Sequence, residues 1–315
     1  MQKQEYNKLI FWIEEYLFYP NFIQRILSFL LLPLSFVYCV IVVSKRKFTK
    51  SKDPGIPIIS IGNLTVGGNG KTPFTISLAK NKKNIAIILR GYKRDSENLL
   101  VVSDFGDIKC DVKDCADEAM LYAKSLPNAL TIVSKDRIKA INFAKKRGVK
   151  AIFLDDAFHR SEIKKFDILL EPKKEYHNSF CLPSGPYREP KKLYQKANIV
   201  AKEGKDFTRE VVLQNPTKKM LLITAISKPE RLDEFLPKDD TIIAKIYFQD
   251  HHSYTLKEIE HLIKTYKPTS ILTTKKDEVK LEKFNLNLSI LDLDIKIDKS
   301  IIDKVDDFID NFGKF

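Results

Sequence analysis

The stretch SIGNLTVGGNGKTPF, residues 60–74, has the residue types and spacing of a phosphate-binding loop. Glycines let backbone N–H groups approach phosphate oxygens, a lysine can reach the β- and γ-phosphates, and a threonine hydroxyl can bind Mg²⁺. A β-branched run precedes the loop and a helix-forming run follows it, which is the setting such a loop requires. We therefore predict that a nucleotide binds to the following residues: Thr65, Val66, Gly67, Gly68, Asn69, Gly70, Lys71 and Thr72.

One position of this loop departs from the usual pattern. The pattern GxxxxGK[ST] places glycine where this chain has Thr65. The alternative interpretation is a glycine-rich structural turn without a ligand. The strand–loop–helix setting favours nucleotide binding.

A pair of carboxylates follows a second apolar run. In VKAIFLDDAFHR the hydrophobic residues lead directly into Asp155 and Asp156. This is the form of a Walker B strand, whose carboxylate holds Mg²⁺ beside the phosphate loop. A solvated turn is the alternative, and the presence of the phosphate loop argues against it.

The order of predicted elements indicates the fold class. Strand-like runs alternate with helical runs up to about residue 206, and four further strand-like runs follow. We predict an α/β fold, P-loop NTPase-like, with a mostly parallel sheet flanked by helices and a second, smaller α/β domain. The predicted segments are 1–52, hydrophobic and membrane-associated with a basic flank; 53–206, the P-loop core; and 207–315, the smaller domain.

The N-terminal segment is apolar enough to interact with a membrane. Residues 26–43 carry no charge, although Pro33 should kink or break a helix there. About 20 apolar residues are needed to span a bilayer. The segment therefore predicts either a marginal span or a helix lying in the interface, with a buried core helix as the alternative. The basic run SKRKFTKSK that follows favours the cytoplasmic side and anionic headgroups.

Charge and cysteine content limit the remaining classes. The net charge of +13 favours a polyanionic partner, but no helix-turn-helix, RNA-recognition or zinc signature is present, so we expect no nucleic-acid partner. The four cysteines lack metal-binding spacing and are expected to be reduced thiols.

A series of motifs, taken in order, is specific to one family. These motifs are SIGNLTVGGNGKTP, LRGYKR, ADEAMLYAK, KDR, FLDDAFHR, LPSGPYREP and LTTKKDEVKL. The series resembles the tetraacyldisaccharide 4′-kinase family of lipid A biosynthesis, over about residues 57–280. That family carries serine or threonine at the position of Thr65, so the departure in the loop agrees with the resemblance.

The resemblance implies an activity, cofactors and a location. Members of the family transfer the γ-phosphate of ATP, with Mg²⁺, to the 4′-hydroxyl of a tetraacyldisaccharide 1-phosphate, which gives lipid IVA. They act at the cytoplasmic face of the inner membrane. The expected partners are therefore this lipid substrate and the membrane surface, to which the N-terminal segment would anchor or dock the chain.

The resemblance also implies roles for individual residues. Asp117 would accept the proton of the acceptor hydroxyl and His251 would orient Asp117, although the neighbouring His252 is a rival for that role. Candidate metal ligands are Thr72, Asp155, Asp156 and Glu189. Further candidates are Arg188 near the phosphates, Arg90 in LRGYKR, and His159, whose loop is one residue shorter than in the family.

A membrane-associated P-loop GTPase is the alternative function. Thr274–Asp277, TKKD, matches the [NT]KxD pattern by which GTPases recognise guanine. Four-residue matches arise easily in a lysine-rich chain, and the kinase family carries a similar stretch.

Overall fold

The computed structural model describes residues 2–68, 70–91, 98–226, 229–250 and 252–314. The chain divides into two compact units, each assembled from separate stretches of sequence. The first contains Met1–Lys71, Phe153–Phe207 and Asp298–Phe315, and the second contains Thr72–Ile152 and Thr208–Ile297. The predicted division into three consecutive segments stays a prediction.

The larger sheet is mostly parallel, as predicted. Its strands are β1 (Ile58–Gly62), β2 (Ile85–Leu89), β3 (Leu100–Asp104), β4 (Asp107–Ile108), β5 (Ala129–Val133), β6 (Ala151–Asp155), β7 (Phe166–Glu171) and β8 (Ile199–Lys202). Their order is β4-β3-β5-β2-β6-β1-β7-β8. The pairs β1–β7, β7–β8 and β2–β5 are parallel, whereas β3 runs antiparallel to β4 and β5.

The central strands are buried along their full length. Every residue of β1, β2, β5 and β6 is buried, and most of these residues are apolar. Continuous apolar runs are typical of parallel strands covered on both faces, whereas a half-exposed strand alternates polar and apolar residues. The helices that connect strands of this sheet are α4 (Lys71–Ala79), α5 (Val112–Cys115), α6 (Asp117–Ser125) and α7 (Arg137–Lys146).

The C-terminal third forms a second sheet. Its strands are β9 (Phe207–Gln214), β10 (Met220–Thr224), β11 (Ile242–Tyr247), β12 (Ser270–Thr274) and β13 (Leu288–Ile297), in the order β11-β10-β12-β13-β9. Helices α8 (Leu256–Tyr266) and α9 (Lys275–Leu281) lie between these strands in the sequence, whereas α10 (Lys299–Asp310) belongs to the first compact unit. Ile259 of α8 and Leu281 of α9 pack with Leu221 and Ile271 of the sheet in one buried cluster. The predicted second, smaller α/β domain is thereby confirmed, and β9 is a fifth strand beyond the four strand-like runs that were predicted.

Three helices precede the first strand. They are α1 (Gln2–Phe18), α2 (Phe22–Leu30) and α3 (Leu32–Phe48). Pro33 lies in the first turn of α3, where its missing N–H has no helical partner to lose, and α2 and α3 meet at an angle of 56°. The predicted helix break is confirmed. Within the described residues no single helix is long and apolar enough to cross a bilayer, but the bent pair α2–α3 meets that test by length and composition.

Candidate active site

The glycine loop between β1 and α4 is held by a distant segment of the chain. The Val66 N–H donates to the Pro186 carbonyl at 2.8 Å, and the Arg188 N–H donates to the Leu64 carbonyl at 2.7 Å. Gly67 has a φ of +88°, a conformation that a side chain would strain. The predicted strand, loop and helix are confirmed, and segment 186–188 fixes the start of the loop.

Lys71 begins α4, and its ammonium lies between two oxygen atoms. Its Nζ donates to Asn63 Oδ1 at 3.0 Å and lies 3.7 Å from Asp156 Oδ1. The Asn63 side chain is itself fixed, because its Nδ2 donates to the Thr65 carbonyl at 3.0 Å and the residue is buried. A buried amide thus orients the lysine at the end of the glycine loop.

Asp156 follows the last residue of β6 and is held by two cations. The Arg188 guanidinium forms a two-pronged pair with its carboxylate, with Nη1–Oδ2 at 2.8 Å and Nη2–Oδ1 at 2.9 Å. Burial alone would raise the pKa of Asp156, but the Arg188 hydrogen bonds and the charges of Lys71 and Arg188 hold it well below its ordinary value. Asp156 is therefore ionised throughout the neutral range.

Arg188 also reaches the start of the glycine loop. Its Nη2 donates to the Asn63 carbonyl at 3.0 Å and to Asn63 Oδ1 at 2.7 Å. We call Asn63, Lys71, Asp156 and Arg188 the Lys71 cluster. It places two cations beside a glycine loop, which is the charge distribution that favours a polyphosphate.

Glu189 is paired with a basic residue of the N-terminal helices. Arg46 Nη2 lies 3.2 Å from Glu189 Oε2, and the glutamate side chain is 7% exposed. Burial raises the pKa of Glu189, while the Arg46 and Arg188 charges oppose that rise. The predicted role of Glu189 as a metal ligand stays a prediction.

The other predicted site residues lie at the ends of strands and helices. Asp155 is the buried last residue of β6, and His159 is exposed a short distance along the same loop. In the second compact unit, Thr72 is the second residue of α4 and Arg90 follows β2. Two predicted residues, Asn69 and His251, lie outside the described residues.

A second cluster surrounds Asp117, the first residue of α6. The Lys280 Nζ lies 3.5 Å from Asp117 Oδ2 and 2.7 Å from Asp277 Oδ1, and it donates to the His252 carbonyl at 3.2 Å. The Lys280 side chain is only 4% exposed, whereas that of Asp117 is 14% exposed. One buried ammonium therefore lies between a fully buried carboxylate and one that solvent still reaches.

The TKKD stretch has a structural function in this cluster. Thr274 caps α9 by accepting a hydrogen bond from the Asp277 N–H. Asp277 Oδ2 accepts hydrogen bonds from Thr224 Oγ1 at 2.8 Å and from the Ala225 N–H at 3.0 Å. Because the Asp277 side chain is fully buried and pairs with Lys280, it is not available to recognise a guanine base.

His252, the rival to His251, has partners of its own. Its Nε2 lies 3.2 Å from Glu258 Oε2, and its ring stacks on Phe248 with a centroid distance of 4.6 Å. Glu258 also completes the capping box of α8 with Thr255. These contacts give His252 a role in fixing the start of α8.

Sequence reasoning missed Asn63, Lys280 and Arg46. Asn63 lies within the recognised motif SIGNLTVGG, so its position at the end of a predicted strand was the available signal. Lys280 lies in LTTKKDEVKL, where the TKKD match indicates guanine recognition by Thr274–Asp277 and gives no role to Lys280. Arg46 lies in a basic run whose charge predicts contact with membrane headgroups, whereas the structure pairs Arg46 with Glu189.

Comparison with known proteins identifies the family. A family model described as tetraacyldisaccharide-1-P 4′-kinase matches residues 27–310. Among curated proteins, the tetraacyldisaccharide 4′-kinase of Aliarcobacter butzleri is 54% identical over 314 residues, covering 97% of this chain and 99% of its own. The enzymes of the same name from Helicobacter pylori (strain HPAG1) and Campylobacter jejuni (strain NCTC 11168) are 45% and 42% identical, covering 94% and 96% of both chains.

A solved structure agrees with this result. The crystal structure of LpxK from Aquifex aeolicus in complex with ATP matches with a TM-score of 0.77 and 28% identity, covering 90% of this chain and 99% of that one. The solved structure, the curated relatives and the family model all indicate the same family. The chain belongs to the tetraacyldisaccharide-1-phosphate 4′-kinase family.

Proposed function

We propose that this protein is a lipid kinase that transfers the γ-phosphate of ATP to the 4′-hydroxyl of tetraacyldisaccharide 1-phosphate, giving lipid IVA. The observation that carries the proposal is the Lys71 cluster at the glycine loop, within a chain of this family. A sugar hydroxyl is a weak nucleophile, so the enzyme must orient it, remove its proton and neutralise the transferring phosphoryl group.

The Lys71 cluster would neutralise the phosphate charge. Residues 65–72 would surround the phosphates with backbone N–H groups, and Lys71 would contact the β- and γ-phosphates. Arg188 lies in the same cluster and offers a planar set of donors that suits phosphate oxygens. The negative charge of Asp156 would offset these cations before the nucleotide binds. The Asn63 side chain would orient Lys71 and Arg188, since it accepts a hydrogen bond from each.

The carboxylates at the end of β6 suit Mg²⁺. Within the described residues no three His, Cys, Asp or Glu side chains form a metal cage. Mg²⁺ does not require one, since it usually takes one or two carboxylates and completes its shell with water and phosphate oxygens. Asp155, Asp156 and the Thr72 hydroxyl would hold it, with Glu189 as a further carboxylate. The bound ion would offset the negative charge of the phosphates.

Asp117 would act as the general base. Its carboxylate would accept the proton of the 4′-hydroxyl as that oxygen bonds to the γ-phosphorus, while the bond to the bridging oxygen breaks and ADP leaves. His251 would orient this carboxylate. Asp117 retains some solvent exposure at the start of α6, as a base that meets an incoming substrate needs.

The N-terminal helices carry apolar side chains on their exposed face. In α2 the buried residues are Gln24 and Ser28, whereas Phe22 and Ile23 are 79% and 77% exposed. In α3 the buried residue is Ser35, whereas Phe36 is 71% exposed. This polarity is the reverse of that of a helix facing water and suits a lipid surface.

This surface would place the enzyme at its lipid substrate. We assign the protein to the cytoplasmic face of the inner membrane, docked or anchored through α1–α3, because its nucleotide is cytoplasmic and its acceptor is embedded in the bilayer. Lys45 and Lys47, which are exposed near the end of α3, would contact anionic headgroups.

Transfer of labelled phosphate tests the proposal. The wild-type protein, with Mg²⁺ and γ-labelled ATP, should label tetraacyldisaccharide 1-phosphate in detergent micelles. Lys71→Met should lower that rate by at least about 100-fold, since it removes a charge that stabilises the transition state. Lys80→Met is the matched control, because Lys80 is an exposed lysine that closely follows α4 and contacts Asp294. Equal activity of both variants would contradict the proposed role of the glycine loop.

A further inference from the structure

Helix α3 presents a polar face to the protein. Ser35 is buried, Tyr38 and Arg46 are half-buried, and Lys47 is exposed. The first three positions are spaced by three and eight residues, which places them along one face of a helix. The exposed face of this helix is apolar, so its polar side chains face the protein. Because buried polar groups are normally hydrogen-bonded, we expect each of them to have a specific partner.

These inward side chains contact two loops of the candidate site. The Tyr38 hydroxyl donates to the Arg188 carbonyl at 2.9 Å. Arg46 Nη2 donates to the Phe158 carbonyl at 2.8 Å and pairs with Glu189 at 3.2 Å. Phe158 lies two residues beyond Asp156, and Glu189 directly follows Arg188. One face of α3 thus contacts both loops that carry the Asp156–Arg188 pair.

Further hydrogen bonds join the N-terminal helices to residues 181–184, in the loop that leads to Arg188. Ser35 Oγ donates to the Cys181 carbonyl at 2.9 Å, and Ser28 Oγ of α2 also donates to the loop, to the Ser184 carbonyl at 2.5 Å. Tyr16 of α1 donates to the Pro183 carbonyl at 2.9 Å. All three N-terminal helices therefore contribute a hydroxyl to the stretch that leads into Arg188.

Arg46 differs in its environment from the other basic residues of this run. Its guanidinium lies 4.1 Å from the centroid of the Phe158 ring, and its side chain is 20% exposed. Lys47, one residue later, is exposed. A guanidinium that is stacked, hydrogen-bonded and ion-paired inside the protein is committed to these partners rather than to lipid headgroups.

We propose that Tyr38 and Arg46 are positioning residues of the nucleotide site, through which the membrane-facing helix α3 holds the Asp156 and Arg188 loops in register. The inference rests on the proposed nucleotide site. It predicts that ATP affinity depends on α3 even when no lipid is present.

Paired variants on one helix test this inference. ATP dissociation constants would be measured on full-length protein in detergent, without lipid substrate, for wild type, Arg46→Met and Lys47→Met. Each variant removes one positive charge from the same basic run. We expect Arg46→Met to weaken ATP binding by about tenfold, a change equivalent to about 1.4 kcal/mol. Lys47→Met should leave ATP binding unchanged, and equal affinities for the two variants would overturn the inference.

Two more conservative variants test the inference even if Arg46→Met fails to fold. Tyr38→Phe keeps the ring and removes only the hydroxyl, and we expect it to weaken ATP binding by about threefold, within the range of one lost hydrogen bond. Arg46→Lys keeps the charge opposite Glu189 and should recover part of the lost affinity. Wild-type affinity in Tyr38→Phe together with wild-type affinity in Arg46→Met would count against positioning by α3.

Amide exchange gives a readout that does not depend on ATP. In Arg46→Met, residues 156–160 and 187–189 should exchange faster than in wild type, by about tenfold, whereas in Lys47→Met they should not. Unchanged exchange in Arg46→Met would overturn the inference. If wild type failed to bind ATP, the proposed function would fall, while the exchange comparison would still decide whether α3 holds these loops.

Discussion

Replacing Lys280 by methionine should strongly destabilise the fold, because it leaves a buried carboxylate without its cation. The Lys280 Nζ lies 2.7 Å from Asp277 Oδ1, and the two side chains are 4% and 0% exposed. Breaking a buried pair by removing one partner costs about 3–5 kcal/mol. Asp277 Oδ2 keeps its hydrogen bonds from Thr224 and Ala225, so we expect a loss near the lower end, about 3 kcal/mol.

An exposed pair in the smaller sheet provides the matched control. Lys296 Nζ lies 2.6 Å from Glu210 Oε1, a separation close to that of the buried pair, but the two side chains are 73% and 49% exposed. Lys296→Met should cost less than about 1 kcal/mol, because water solvates both charges once the pair is broken. The two substitutions are identical in chemistry, so burial is the variable that separates them.

Urea unfolding of the full-length protein in detergent measures both losses. Adding Asp277→Asn to Lys280→Met should recover part of the stability, since no buried charge then remains unpaired. If Lys280→Met and Lys296→Met cost the same free energy of unfolding, the reasoning about the buried cluster would be refuted.

Three further predictions address the base, the Lys71 cluster and the membrane surface. Asp117→Asn should lower kcat by about 100-fold or more while ATP affinity, measured by equilibrium binding, stays near wild type; a parallel loss of ATP affinity would contradict its role as base. Because the pKa of Asp156 is held below its ordinary value, its contribution to stability is present above about pH 4 and is lost as the pH falls further. Urea unfolding at about pH 6 and pH 3 should therefore show a smaller acid-induced loss in Arg188→Met than in wild type, and an equal loss would count against the pair. Phe36→Asp should reduce co-sedimentation with anionic vesicles and leave ATP binding unchanged, whereas unaltered sedimentation would argue that this exposed face does not meet lipid.

The local features of this fold could be predicted because their determinants lie close together in the sequence. The run from Ile58 to Gly62 is buried on both faces and is therefore uniformly apolar, which is the pattern that predicts a parallel strand. Glycines with positive φ, such as Gly67 and Gly70, make the following turn recognisable as a phosphate loop. Pro33 predicted the break between α2 and α3 for an equally local reason.

The side-chain partnerships could not be predicted in the same way. Arg46 and Glu189 are far apart in the sequence although their side chains are in contact, and so are Asp117 and Lys280. The periodicity of apolar residues carries no information about which charged residues meet. A lysine-rich chain offers many partners for every carboxylate, so only the topology selects among them. The basic run at the end of α3 illustrates this, because Arg46 contacts Glu189 inside the protein while its neighbour Lys47 is exposed.

The position of the transferred phosphate tests the central claim most directly. Tetraacyldisaccharide 1-phosphate would be incubated with the protein, Mg²⁺ and γ-labelled ATP, and the lipid product would be analysed by mass spectrometry and phosphorus NMR. The account predicts a bis-phosphorylated lipid that carries the label as a monoester at the 4′-oxygen, with one ADP formed for each lipid phosphorylated. Label released only as inorganic phosphate, at the same rate with and without lipid, would contradict it and indicate an NTPase instead.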